Sequence, residues 1–373
     1  MNTSLLHRLI FTFMAVIALL AACSRKPAAS ETTSLQQRID SLFHLKPDFS
    51  GVVLVAEKGK AVYHRAFGYR HYASKVLNDT TSIFELASVS KQFTAMAIML
   101  LKEEGKLQYD DLLDKYIPGL PYPGITIRHL LNHTSGLPDY QAIMDRYWDK
   151  TKVAGNDDNI AYLQKYQPAK NFEPGTRYEY SNTGYMLLAS VVEKVAGEDF
   201  IHFCRSRIFH PLQMRHTDIR TLEEKKKLPT MAWGHLWVDE QQQYIQADSF
   251  PAFNYSLWLG HRKGPGRISA TTSDLLRWDV ALHAEHLISK SALQEAFSPA
   301  ILKDGSTSAY GFGWSLRTHP TLGTIVEHTG NNPGYKTKIV RYTDSQRLVV
   351  VLCNNAHRDM DTLLNNIELL LTH

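Results

Sequence analysis

The chain has 373 residues, enough for one large or two modest domains around a deep core, so its size excludes no class of enzyme. Its 41 lysines and arginines against 37 aspartates and glutamates leave a net charge of +4. The charges are dispersed rather than gathered into the basic stripe that a nucleic-acid-binding surface uses, which excludes nucleic acid as a partner.

From the N-terminus, His7 and Arg8 precede LIFTFMAVIALLAAC, an apolar stretch too short for a comfortable membrane span and closed by small residues. That pattern is an export signal. Its end, Leu20-Ala21-Ala22-Cys23, resembles the lipobox of bacterial lipoproteins, which implies cleavage after residue 22 and acylation of Cys23. The expected arrangement is a signal peptide over 1–22 and a tether over 23–33. The protein is then an exported lipoprotein on the periplasmic side, held to a membrane by acyl chains, with inner and outer membrane undistinguished.

TSLQQRIDSLFHL places Leu35, Ile39, Leu42 and Phe43 on one face of a capped helix. SGVVLVAEKGKAVYHRAFGY then reads as a hairpin turning at Lys58-Gly59. Helical runs and long loops dominate from 86 to 305, among them SNTGYMLLASVVEKVAGEDF, stopped by Gly197, and TTSDLLRWDVALH. Strands return in YGFGWSL, GTIVEHTG, YKTKIVRY and QRLVVVLCN, before a closing helix DMDTLLNNIELLL. The order predicts an α/β sandwich, an antiparallel sheet flanked by helices, formed by 34–85 and 306–373. A mostly α-helical domain, 86–305, is inserted into it. Cys204 and Cys353 sit in apolar settings without metal or staple spacing and read as two buried free thiols.

Within ELASVSKQFTAMAIMLLKEEG, Ser88 and Lys91 form an S-x-x-K, a motif weak by itself because a chain of this length holds about one by chance. Residues three apart share a helix face, which brings the amine to the hydroxyl. The following turns are apolar all round, so the helix is buried, and burial favours a neutral lysine able to act as a base. A serine at a helix start also lies beside free N–H groups. A capping serine and a snorkelling lysine would fit the same residues. Two further motifs weigh against that reading. Tyr180-Ser181-Asn182 precedes an apolar helix, where a loop can aim a phenol and an amide into a cleft. His328-Thr329-Gly330 lies at a strand end, where a glycine permits close backbone approach.

In the order S-x-x-K, Y-x-N, H-T-G, separated by a helical insertion, these motifs resemble the penicillin-recognising serine hydrolases. The similar branch holds class C β-lactamases, D-Ala-D-Ala carboxypeptidases, D-aminopeptidases and related esterases, and LLNHTSGLPDY, GPGRISATTSDLLRWDVAL and YGFGW extend the likeness over most of 34–371. The resemblance implies a β-lactamase/transpeptidase-like fold and an acyl-enzyme on Ser88. Lys91 would help deprotonate the serine, and Tyr180, as phenolate or relay, would pass a proton to the leaving group. Asn182 would orient substrate or Lys91, and the N–H groups of Ser88 and Asn331 would form the oxyanion hole beside Thr329 and Gly330. Which of Lys91 and Tyr180 is the base stays open, since the two would titrate together. No cofactor and no metal is implied.

The third motif departs from the pattern by carrying His328 where β-lactamases and many carboxypeptidases have lysine. An imidazole mostly neutral at pH 7 should weaken the grip on a substrate carboxylate and favour D-amino-acid peptides, cell-wall-derived peptides or small esters. His133 reads as turn-stabilising, and the Gly264-Pro265-Gly266 loop as either a pocket border or a plain turn. An α/β-hydrolase would need a G-x-S-x-G and a zinc hydrolase an H-E-x-x-H, and the chain has neither. The alternatives are a β-lactamase or D-Ala-D-Ala carboxypeptidase and a non-catalytic cell-wall binder or penicillin sensor, against the last of which three intact motifs argue. The partner expected is a small-molecule or peptide substrate; loops of unread conformation leave its identity, and the oligomeric state, open.

Overall fold

The structure, a computed structural model, describes residues 34–372, so the signal-peptide reading and Cys23 lie outside the described residues. Among the elements that position the site, α1 spans Leu35–His44, and Ser34 caps it by accepting from the Gln37 N–H. Strands β1 (Gly51–Glu57) and β2 (Lys60–Phe67) follow. They turn on Lys58 and Gly59, both at positive φ, as a two-residue hairpin loop requires. Of the elements that follow, three helices bear on the site: α2 (Lys91–Glu103), α3 (Asn182–Ala196) and α4 (Thr272–His283). The chain closes with β3 (Ser315–His319), β4 (Gly323–Asn332), β5 (Tyr335–Tyr342), β6 (Arg347–Cys353) and α5 (Met360–Leu371).

The six strands form one antiparallel sheet in the order β3-β4-β5-β6-β1-β2. The expected sandwich of antiparallel sheet and helices is therefore the observed fold. Because successive side chains point to opposite faces, β1 divides its apolar run between two cores. Val53 and Val55 meet Ile39 and Phe43 of α1 and Leu363 and Ile367 of α5. Val52 and Leu54 face the other way, into a core shared with Phe93 of α2, Leu187 of α3 and Trp278 of α4. Both faces being covered explains why the sequence reads as unbroken hydrophobe rather than alternation. Helix α4, within the stretch read as helical domain, packs on β1 and β6.

One sequence-level expectation needs correction. YGFGWSL becomes a strand only from Ser315. Gly313 sits at φ +80, and a side chain at Gly311 would meet the Ala296 carbonyl, so this stretch turns instead of extending.

Candidate active site

Ser88 lies in a single 3₁₀ turn, Ala87–Ser90, rather than at the start of the α-helix itself. A 3₁₀ turn eclipses residues three apart, so the spacing argument still holds, and α2 begins at Lys91. The turn is fastened on two sides. The Leu86 N–H donates to Ile268 O at 2.8 Å, and Thr337 Oγ1 donates to Leu86 O at 2.7 Å. Ala87, just before the serine, takes φ +49, a left-handed conformation seldom adopted by a residue with a Cβ.

Lys91 is completely buried. Its Nζ lies 3.2 Å from Ser88 Oγ, 2.8 Å from Asn182 Oδ1 and 2.9 Å from the Pro265 carbonyl, and none of these partners is a carboxylate. Burial drives the amine well below the usual lysine range, and the nearby Arg262 guanidinium adds to the effect. In the neutral form two N–H groups serve Asn182 and Pro265, which leaves the lone pair for the serine proton. The Gly264-Pro265-Gly266 loop therefore borders the site: its proline carbonyl is a partner of Lys91, and Thr94 Oγ1 donates to Gly264 O.

Asn182 opens α3, and Ser181 caps that helix by accepting from the Gly184 N–H at 3.2 Å, so helix initiation turns the Asn182 amide toward Lys91. The Tyr180 ring centroid is 4.7 Å from Lys91 Nζ. The residue as a whole is 40 % exposed. Burial raises its pKa above that of an ordinary phenol, with Ser88 acting in the opposite sense, and the group is protonated at neutral pH.

Beyond Glu327, β4 has no partner on the β3 side, and this free end runs beside the Ser88 turn. Gly330 makes the approach possible: a Cβ there would lie 2.3 Å from Leu86 O and 3.1 Å from Ala87 Cβ. Thr329 and Asn331 are exposed, while His328 and Gly330 point inward, as strand alternation dictates.

His328 differs from expectation. It is buried, with Nδ1 2.6 Å from its neighbour's carbonyl, Thr329 O, and Nε2 2.8 Å from Tyr310 Oη. The carbonyl requires a proton on Nδ1, so Nε2 accepts from Tyr310. Both ring nitrogens are thus engaged within the protein, and the imidazole does not face a substrate. Burial, with Lys91 adding to it against the Thr329 carbonyl, pulls its pKa down to about 3. It does not titrate between pH 5 and 8. Cys204 and Cys353 are free and buried, as expected.

Three participants were not singled out by sequence reasoning: Ala87, Arg262 and Tyr310. None carries a local signal, although G-P-G and YGFGW stand beside the last two.

The sequence matches the Beta-lactamase family over residues 39–373. It is 42 % identical over 310 residues to penicillin-binding protein 4* of Bacillus subtilis, covering 83 % of this chain and 69 % of that protein. It is 27 % identical over 338 residues to a D-aminopeptidase of Cereibacter sphaeroides, covering 89 % of this chain and 62 % of the relative, which is the longer protein. The crystal structure of a penicillin-binding protein from Bacillus halodurans superposes with a TM-score of 0.76 at 26 % identity, over 89 % of this chain and 98 % of that one.

Proposed function

This chain belongs to the Beta-lactamase family as a serine hydrolase, and we propose that within it Ser88 forms an acyl-enzyme with a small amide or ester. The observation that carries this reading is Lys91: a fully buried amine with no carboxylate among its three partners, 3.2 Å from the serine oxygen. As Ser88 Oγ bonds to the substrate carbonyl carbon, its proton passes to Lys91 Nζ. The oxyanion forms between the N–H groups of Ser88 and Asn331, on the strand that Gly330 brings against the turn. Tyr180, protonated at rest, gives its proton to the departing nitrogen or oxygen and is reprotonated from Lys91 as that bond breaks. Water then attacks the acyl carbon along the same proton path.

The leading substrates are D-amino-acid amides and peptides, cell-wall-derived peptides and small esters. His328 occupies the position of the lysine found in the third motif of β-lactamases, yet it is neutral and turned inward, so that position offers no cation to a substrate carboxylate. The D-aminopeptidase relative supports the same class. Penicillin acylation is the second reading, favoured by the penicillin-binding relative at 42 % identity. The deciding experiment treats the purified protein with a serine-directed fluorophosphonate, a fluorescent penicillin, D-amino-acid amides and p-nitrophenyl acetate. Fluorophosphonate labelling at Ser88, lost in Ser88→Ala together with hydrolysis, is expected. Labelling that persists in Ser88→Ala, or an unlabelled parent, sinks the acyl-enzyme; stable labelling of Ser88 by the penicillin, or its efficient turnover, with the amides and the ester left intact moves the second reading to first place.

The site is proposed to work outside the cytoplasm on a lipid anchor, on the strength of Leu20-Ala21-Ala22-Cys23. Expressed in a bacterium, the mature protein should begin at Cys23 and fractionate with membranes, and Cys23→Ser should free it or block its processing. A soluble product with another N-terminus would show Cys23 to be incidental.

A further inference from the structure

His133 belongs to LLNHTSGLPDY and takes no part in the chemistry above, yet it is completely buried at the centre of the site. Its main chain is left-handed, at φ +60. From that conformation it reaches the backbone on both sides of Tyr180. Its carbonyl accepts the Glu179 N–H at 2.9 Å, and its Nδ1 accepts the Ser181 N–H at 3.1 Å. An accepting Nδ1 places the ring proton on Nε2, and Nε2 is enclosed with no hydrogen-bond partner. The ring is walled by tyrosines, with centroids at 4.3 Å for Tyr180, 4.6 Å for Tyr310 and 5.0 Å for Tyr185.

A buried donor left unpaired is destabilising. A phenylalanine would fill the same space without that donor, but it would orphan the Ser181 N–H. What imidazole uniquely supplies here is one acceptor on a flat ring. We propose that His133 is the positioning residue for Tyr180: it fixes the main chain before and after the tyrosine, and its ring forms the wall against which the phenol packs. The inference rests on the reading of Tyr180 as the proton relay. It explains why a turn residue is an aromatic heterocycle in a conformation that asparagine or glycine adopts more readily. Burial opposes protonation of the ring and keeps it neutral.

The test compares His133→Asn, His133→Phe and His133→Ala in the full chain, with a D-amino-acid amide or methyl ester, whose leaving group must take up a proton, as substrate and circular dichroism as the check on folding. Asparagine tolerates positive φ, and its Oδ1 stands close to the place of Nδ1. His133→Phe should lower kcat by about 10- to 100-fold with KM within about threefold, the scale on which a misplaced proton relay acts. His133→Asn, which restores the acceptor without the ring wall, should recover at least about threefold of that loss. Loss in His133→Asn as deep as in the phenylalanine variant, or a folded His133→Phe with parental kcat, overturns the assignment. Should His133→Phe not fold, the asparagine–alanine pair decides, and equal kcat in those two also overturns it. An unlabelled parent would instead remove the hydrolase reading itself, and Tyr180→Phe at parental kcat would remove the relay reading on which this inference rests, whatever the His133 variants do.

Discussion

Two buried lysines in this molecule meet opposite fates. Lys225 is 2 % exposed and is paired with the Glu85 carboxylate, which also accepts from Asn332. Burial and Arg267 lower the Lys225 amine while Glu85 raises it, leaving a value of about 8. Glu85, raised by burial, is brought back down by Lys225 and Arg267 to about 2. Lys91 is equally buried and close to Arg262, but its acceptors are an amide oxygen, a peptide carbonyl and a hydroxyl. Desolvation alone does not decide what a buried lysine is for. The charge state of its neighbours does: a carboxylate makes it one half of a structural ion pair, and neutral acceptors leave it a base.

The contrast can be broken first from the structural side. Glu85→Gln removes the anion from Lys225 and Arg267, and since breaking a buried pair from one end typically destabilises by about 3–5 kcal/mol, a large fall in the unfolding midpoint is expected. Denaturant titration measures it. The pH dependence has a definite sign: a carboxylate depressed to about 2 lends stability above its unfolded value near 4.5, and that contribution is lost as pH falls from there toward 2. The parent should therefore lose stability in that window, and Glu85→Gln should lose less. Equal acid sensitivity in the two would mean that the pair is not the structural member of the contrast.

From the catalytic side, Lys91→Met keeps the volume and apolar stem while removing the base. It should lower kcat by about 10² or more with little change in melting, the usual scale for general acid–base work. Activity within a few-fold of the parent would return Lys91 to a packing role. The mildest change makes Lys91 resemble Lys225: Asn182→Asp sets a carboxylate against its amine and raises the amine pKa. The acid limb of kcat/KM should then move to higher pH. A shift of about one unit gives roughly a tenfold loss at a pH on that limb. An unmoved limb would show that Lys91 is not the group whose deprotonation the reaction needs.

What the sequence made legible was short-range. Lys58-Gly59 announced its hairpin, Ser34 its cap, and the S-x-x-K and Y-x-N spacings announced the hydroxyl, amine, phenol and amide that converge on Lys91. Gly330 was readable because close approach excludes any side chain. The rest depends on partners far along the chain. The Pro265 carbonyl reaches Lys91 from 174 residues away, and no side-chain pattern can reveal a backbone acceptor. His328 was correctly read as neutral, but its inward turn depends on Tyr310, across a bend that two glycines convert from the expected strand. Ala87 gave no hint of its left-handed backbone, which tertiary contacts on Leu86 impose.

The sheet order also bears on how the protein is made. β1 is an inner strand whose neighbours are β2, which follows at once, and β6, which arrives almost 300 residues later at Arg347–Cys353. Until that stretch has been synthesised, Gly51–Glu57 has an open edge and apolar side chains on both faces, the features of a segment prone to intermolecular pairing. Its closing contact is among the most non-local that the chain can make, so the ordering entropy of nearly the whole polypeptide must be met before it forms. The nascent chain therefore cannot complete its sheet while the ribosome still holds the last strand, and a product truncated before residue 347 should go to aggregates rather than to a smaller active enzyme.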